Sequence, residues 1–285
     1  MVRGGKERKL MTMPEKFYDF LLIKKGFGDV TIGGYKRVLS KFFRDIGTEN
    51  PTRKQAENYI AEIRKKTYSF SHVINTSVAI GRYMEFIKKP IKIVHPRKPK
   101  SLLKDVMTEG EVARILAATK NNREKAMLAI LAYSGIRNKE LCSLKAHDVN
   151  LDDNVLRVIG GKFNKDRVVN ISKECAKVVT EYIGQYLQNV DGQYLFTTLR
   201  EGKQYNGWAL RKVVKVVAKR AKIKKRVYPH LFRHSLATHL LSKGMNLVGI
   251  QQQLGHQDIK TVMIYVHSFP HKIKTEYEYR VPSYN

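Results

Sequence analysis

The sequence predicts a mainly α protein with one small β-hairpin or sheet, an α+β chain in two parts. Three observations carry this. The 285 residues are long for one compact domain, and 42% hydrophobic content is enough to fill two cores. Apolar residues recur at helical spacing through most of the chain. A single stretch, "NVLRVIGGKFNKDRVVNIS", instead sets two β-branched runs around a Gly-Gly, Lys and Asn turn.

The first domain is placed at residues 1–89 and reads as helices without strands. Its segments are "PEKFYDFLLIKKG", "TIGGYKRVLSKFFRDIG", "TRKQAENYIAEIRKK" and "SHVINTSVAIGRYMEFIKK", punctuated by glycine or a Pro-Thr pair. Residues 90–104, "PIKIVHPRKPKSLLK", hold three prolines, five basic residues and no acid. Such a stretch is extended and resists compaction, so it is the expected linker.

The second domain, residues 105–285, opens with a capping box of Thr108 and Glu111 before Val112, Ile115 and Leu116. An apolar helix, "REKAMLAILAYSG", leads into "IRNKELCSL" and then the hairpin. Helices are expected afterwards at 173–187, 207–222, 229–243, 246–254 and 259–267.

Charge narrows the partner. The chain has 54 basic and 25 acidic residues, a formal net of +29. Residues 1–90 carry 19 basic and 9 acidic, and the rest carries 35 and 16, so both parts are cationic. An excess of this size repels itself unless a polyanion sits against it, and a spread over both parts suits a clamp on nucleic acid. The two cysteines, Cys142 and Cys175, lie in apolar or helix-forming sequence, as expected of buried thiols in a reducing compartment. The basic start lacks an apolar signal core and no long apolar run follows, so a cytoplasmic location without a membrane is expected.

The stretch "YPHLFRHSLATHLL", residues 228–241, places His230, His234 and His239 around Arg233 on one helix. A zinc site fails on charge. His230 and His234 have chelating spacing, but Phe232 and Arg233 stand where a glutamate would be needed, and no cysteine or carboxylate is near. A helix-turn-helix competes, because "LATHLLSKGMNLVGIQQQLG" has two short helices around a glycine turn. On that reading the chain is a DNA-binding regulator without chemistry.

An ordered set favours chemistry. Arg137 stands in "SGIRNKEL", Lys162 in "GGKFNKDR", His230 and Arg233 in "HLFRH", His256 in "QQLGHQD" and Tyr265 in "TVMIYVH". These six positions span 129 residues, with 23 between Arg233 and His256 and nine between His256 and Tyr265. In order and interval they resemble the tyrosine recombinases of the phage integrase family, especially the Xer type. The resemblance covers nearly the whole chain. It implies a SAM-like helical core-binding domain at the N-terminus and a tyrosine-recombinase catalytic domain after the linker.

It further implies a site-specific recombinase that cleaves and rejoins double-stranded DNA through a 3′-phosphotyrosyl link, without ATP, metal or other cofactor. Tyr265 would be the nucleophile. Arg137 and Arg233 would hold the non-bridging phosphate oxygens, since a planar fork fits them as lysine cannot. His230 would accept from or orient the tyrosine, His256 would donate to the phosphate, and Lys162 would protonate the leaving oxygen. Lys165 competes with Lys162, and Tyr277, Tyr279 and Tyr284 compete with Tyr265, but none of the three has its interval from His256. Glu140 is expected to brace the arginine, and His234 and His239 to be structural or to touch DNA.

The family also implies a homotetramer on two paired sites, resolving dimers of circular chromosomes. An integrase of a mobile element shares the chemistry; a type IB topoisomerase would act as a monomer without site choice. The tail departs from the Xer pattern, because Pro270 and Pro282 oppose one long terminal helix.

Overall fold

The computed structural model describes residues 12–94, 105–160, 166–186, 194–198 and 202–255. The chain forms two compact units, Met1–Lys100 and Ser101–Asn285.

In the first unit, four helices follow their sequence signals. Thr12 and Glu15 make a capping box for α1 (Met13–Ile23), and Thr52 and Gln55 do the same for α3 (Arg53–Lys65). Between them, α2 (Asp29–Ile46) stops at Gly47, whose φ of 75° only glycine takes without cost. Ser69 caps α4 (Phe70–Phe86). The apolar faces meet in a core containing Phe17, Leu39, Phe42, Ile60, Tyr83 and Met84. Phe17 meets Tyr83 edge-on at 5.3 Å, and the Tyr83 hydroxyl donates to the Glu49 carbonyl at 2.6 Å. Ile91 and Ile93, the first apolar residues of the basic stretch, also lie against this core.

The second unit is built around α6 (Asn122–Ser134), in which every residue from Ala126 to Ala132 is buried. A helix so enclosed needs apolar residues on all sides, and "AMLAILA" supplies them. The helices α5 (Glu109–Ala117), α8 (Lys173–Tyr186) and α10 (Pro229–Ser242) pack on it. The capping box of Thr108 and Glu111 is formed. His239 Nε2 donates to the Met107 carbonyl at 2.8 Å, while Ser235 Oγ accepts from the Met107 amide at 2.8 Å. His239 is thus a structural pin.

The expected hairpin pairs β2 (Val155–Val158) with β3 (Arg167–Asn170), antiparallel, with Leu156 opposite Val169 and Val158 opposite Arg167. Leu156, Val158 and Val169 face the core, and Val168 is turned out, so the period of two holds. A strand that the sequence reading lacked, β1 (Val149–Asn150), pairs with β2 and makes the sheet three-stranded. Two residues are too short to show a period; what places them is the turn that follows. Asn150 Oδ1 accepts from the amides of Asp152 and Asp153, and Asn154 takes a φ of 55°.

The site is framed by α7 (Asn138–Ser143), α9 (Gly207–Arg220), α10 and α11 (Leu247–Leu254). Asn138 Nδ2 donates to the Gly207 carbonyl at 3.0 Å, fixing the start of α9 beside the start of α7. No helix of the described residues is long and apolar enough to cross a membrane.

Candidate active site

Arg137 is placed by a chain reversal. α6 ends at Gly135, with φ 66°, and the next helix begins after Arg137, whose extended backbone serves as its N-cap. An arginine has no oxygen to cap with, so Glu140 supplies one. Its Oε2 accepts from the Arg137 amide at 2.7 Å and its Oε1 from Arg137 Nη1 at 2.7 Å. The same carboxylate receives Arg167 from β3, with Nη1 on Oε1 at 2.9 Å and Nη2 on Oε2 at 2.8 Å. Burial works to raise the Glu140 pKa, but the bonds and charges of Arg167 and Arg137 prevail and hold it at about 2.

Arg233 comes from the second turn of α10 and is 4% exposed. Its Nη1 donates to the Gly135 carbonyl at 2.8 Å and its Nη2 to the Leu254 carbonyl at 2.6 Å. Arg137 Nη2 donates to the next carbonyl, that of Gly255, at 3.1 Å. The C-terminal end of α11 therefore receives both guanidinium groups on consecutive carbonyls. Such carbonyls have no partner within their own helix and carry the negative end of its dipole, which offsets the repulsion of two adjacent cations.

His230 stands one turn before Arg233 on α10, at the exposed edge of this pair. Partial burial, then Arg233 and Arg137, lower its pKa, which keeps the imidazole neutral and able to accept a proton.

Gly255 has φ 63°, and a side chain there would meet Arg167 Cδ and Nε at 2.5 Å. Leu254 and Gly255 are the Leu-Gly that precede His256. Gln253 anchors them. Its Oε1 accepts from the Asn170 amide at 3.1 Å, and its Nε2 donates to the carbonyls of Asn170 at 2.8 Å and Ser134 at 3.3 Å. One buried side chain thus links α11, β3 and α6.

Of the six residues expected from sequence, Arg137, Arg233 and His230 are brought together. Lys162, His256 and Tyr265 lie outside the described residues, as do the rival Lys165 and the expected helix at 259–267. Arg167 and Gln253 were missed. Arg167 stands within "KFNKDR", yet nothing local tells that β3 will carry it back to a carboxylate 27 residues earlier. Cys142 and Cys175 are free and buried, and burial pushes their thiols up to about 11 and about 12.

The Glu140 shift has a measurable consequence. Its folded pKa lies below the ordinary value of 4.5, so the stabilisation is full above that value and fades as pH falls towards 2. The shift corresponds to at most about 3 kcal/mol. Glu140→Gln should flatten the fall in urea-unfolding free energy between about pH 5 and about pH 2. An unchanged slope in the variant would show that Glu140 is not the group responsible.

Comparison with known proteins agrees with this architecture. The pattern of the phage integrase family matches residues 105–272. The tyrosine recombinase XerA of Pyrococcus horikoshii is 36% identical over 259 residues, covering 88% of this chain and 87% of that protein. The tyrosine recombinase XerD of Staphylococcus epidermidis is 31% identical over 292 residues, covering 93% and 97%. The crystal structure of a XerA recombinase aligns with a TM-score of 0.58 at 28% identity, over 95% of this chain and 99% of that one. A family match over most of the second unit, and relatives that span nearly the full length, lead to one assignment: the chain belongs to the phage integrase family, the tyrosine recombinases.

Proposed function

We propose that the chain is a cytoplasmic, Xer-type site-specific recombinase that breaks and rejoins double-stranded DNA. The observation that carries this reading is the pair of guanidinium groups, Arg137 and Arg233, seated on consecutive carbonyls of α11 with His230 at their edge. Two fixed forks are what a phosphodiester needs as charge gathers on its non-bridging oxygens. The net charge of +29 supplies attraction to the rest of the duplex.

In the proposed reaction, the Tyr265 hydroxyl attacks the scissile phosphorus and gives its proton to neutral His230. A phosphotyrosyl bond forms to the 3′ side and the bond to the 5′ oxygen breaks. Lys162 protonates that oxygen, and His256 donates to the phosphate. The bond energy is kept in the ester, so rejoining is the same path reversed. The N-terminal helical unit and the basic stretch would complete a clamp, with four subunits on two sites. Resolution of circular chromosome dimers is the role this assembly serves.

The test is covalent capture. A duplex nicked beside the scissile phosphate should trap a protein–DNA adduct that survives denaturant and forms in EDTA. Adduct formation that strictly requires a divalent ion would refute the mechanism, and binding without any adduct would return the regulator reading. The lysine assignment has its own readout. A thiolate, from a thiol of pKa about 8.5, leaves without a proton far more readily than an alkoxide. Lys162→Ala should therefore cleave poorly on ordinary DNA and recover on DNA with sulfur at the 5′-bridging position. Rescue of Lys165→Ala in its place would exchange the two roles.

A further inference from the structure

No step above uses Arg167, yet it is built into the site. Its side chain is 14% exposed and meets Glu140 with both terminal nitrogens. Its Nε is enclosed with no hydrogen-bond partner among the described residues, and its stem fills the space that Gly255 leaves open. Burying a guanidinium is costly, and an ion pair alone is poor compensation, since apolar residues of similar volume often do as well. The arrangement calls for a reason other than stability.

Charge supplies one. Glu140 touches Arg137 through two bonds, and a lone Arg137–Glu140 pair would be neutral towards an incoming phosphate. It would also draw the guanidinium back onto the carboxylate. Arg167 changes both. Each Glu140 oxygen accepts one bond from each arginine, so the carboxylate is shared and the three groups keep a net charge of +1. At low dielectric one such charge strongly affects an anionic transition state.

We infer that Arg167 is a positioning residue that shares the Glu140 carboxylate, so that Arg137 stays aimed and its positive charge stays available to the scissile phosphate. This rests on the recombinase reading given above. It makes β3, the strand after Lys162, a partner in setting the field of the phosphate site.

Suppression separates this from simple bracing. The probe is a nicked duplex selected from a random-sequence pool by covalent capture on the wild-type chain. Arg167→Gln should bind it normally and cleave it about 100-fold more slowly, the usual cost of a misaimed catalytic group. Adding Glu140→Gln removes the competing anion while keeping an oxygen for the Arg137 amide. The double variant should regain about tenfold or more over Arg167→Gln. A double variant no faster than the single one overturns the inference, because a mere brace is not repaired by removing its other half. Should Arg167→Gln fail to fold by circular dichroism, Arg167→Met, which keeps the apolar stem against Gly255, takes its place in both comparisons. If the wild-type chain captures no duplex, the proposed function itself fails and this inference with it. If it does and suppression is absent, this inference alone is lost.

Discussion

Tyr265→Phe should abolish the covalent adduct while leaving affinity for the duplex within about twofold. The substitution removes only the hydroxyl oxygen, the proposed nucleophile, and keeps the rest of the side chain. A phenol of pKa about 10 is a weak nucleophile, so the proposed mechanism relies on Arg137, Arg233 and His230 to stabilise the charge that develops on attack. No water is expected to replace it with retention of a protein–DNA bond, so the loss is complete rather than partial. The measurement is a denaturing gel of chain and labelled nicked duplex. Persistent adduct in the Phe variant would move the nucleophile to Tyr277, Tyr279 or Tyr284 and would break the register built on His256.

Arg233→Ala should show the second large effect, and on two scales. In cleavage, removal of one preorganised donor to developing charge costs about 100- to 1,000-fold. In stability, it leaves the Gly135 and Leu254 carbonyls without this donor in a buried place, worth about 1–3 kcal/mol each way the loss is relieved. Arg233→Lys keeps the charge but cannot span two carbonyls in a plane, so it should restore stability less well than its charge suggests. Single-turnover cleavage and urea midpoints read the two scales separately. Cleavage by the Ala variant within tenfold of wild type would remove Arg233 from the phosphate site.

What the sequence made legible follows from the range of the forces involved. Thr108 with Glu111 is a contact over three residues, and local pattern is enough to read it. His230 and Arg233 share a helix face for the same reason. The meeting of Arg137 with Arg233 is different. It depends on the end of α11 reaching the turn after α6, 118 positions from Gly255 to Arg137, and only the family resemblance pointed there. Nothing at all pointed to Arg167 on Glu140 or to Gln253 on Asn170, because both depend on how β3 lies against helices remote in sequence. The two-residue β1 escaped for lack of length.

Gln253 has one more effect, on how copies of the chain behave in company. With strand order β1-β2-β3, β3 is a border of the sheet, and a border displays unpaired amides and carbonyls that invite another strand. The side-chain amide of Gln253 takes the Asn170 amide and carbonyl together, as a neighbouring peptide unit would. It imitates one residue of a fourth strand without adding one, and α11 covers the place behind it. Under the proposed assembly, in which copies of the chain sit side by side on DNA, this closes a route to sticking together through the sheets and leaves association to other surfaces.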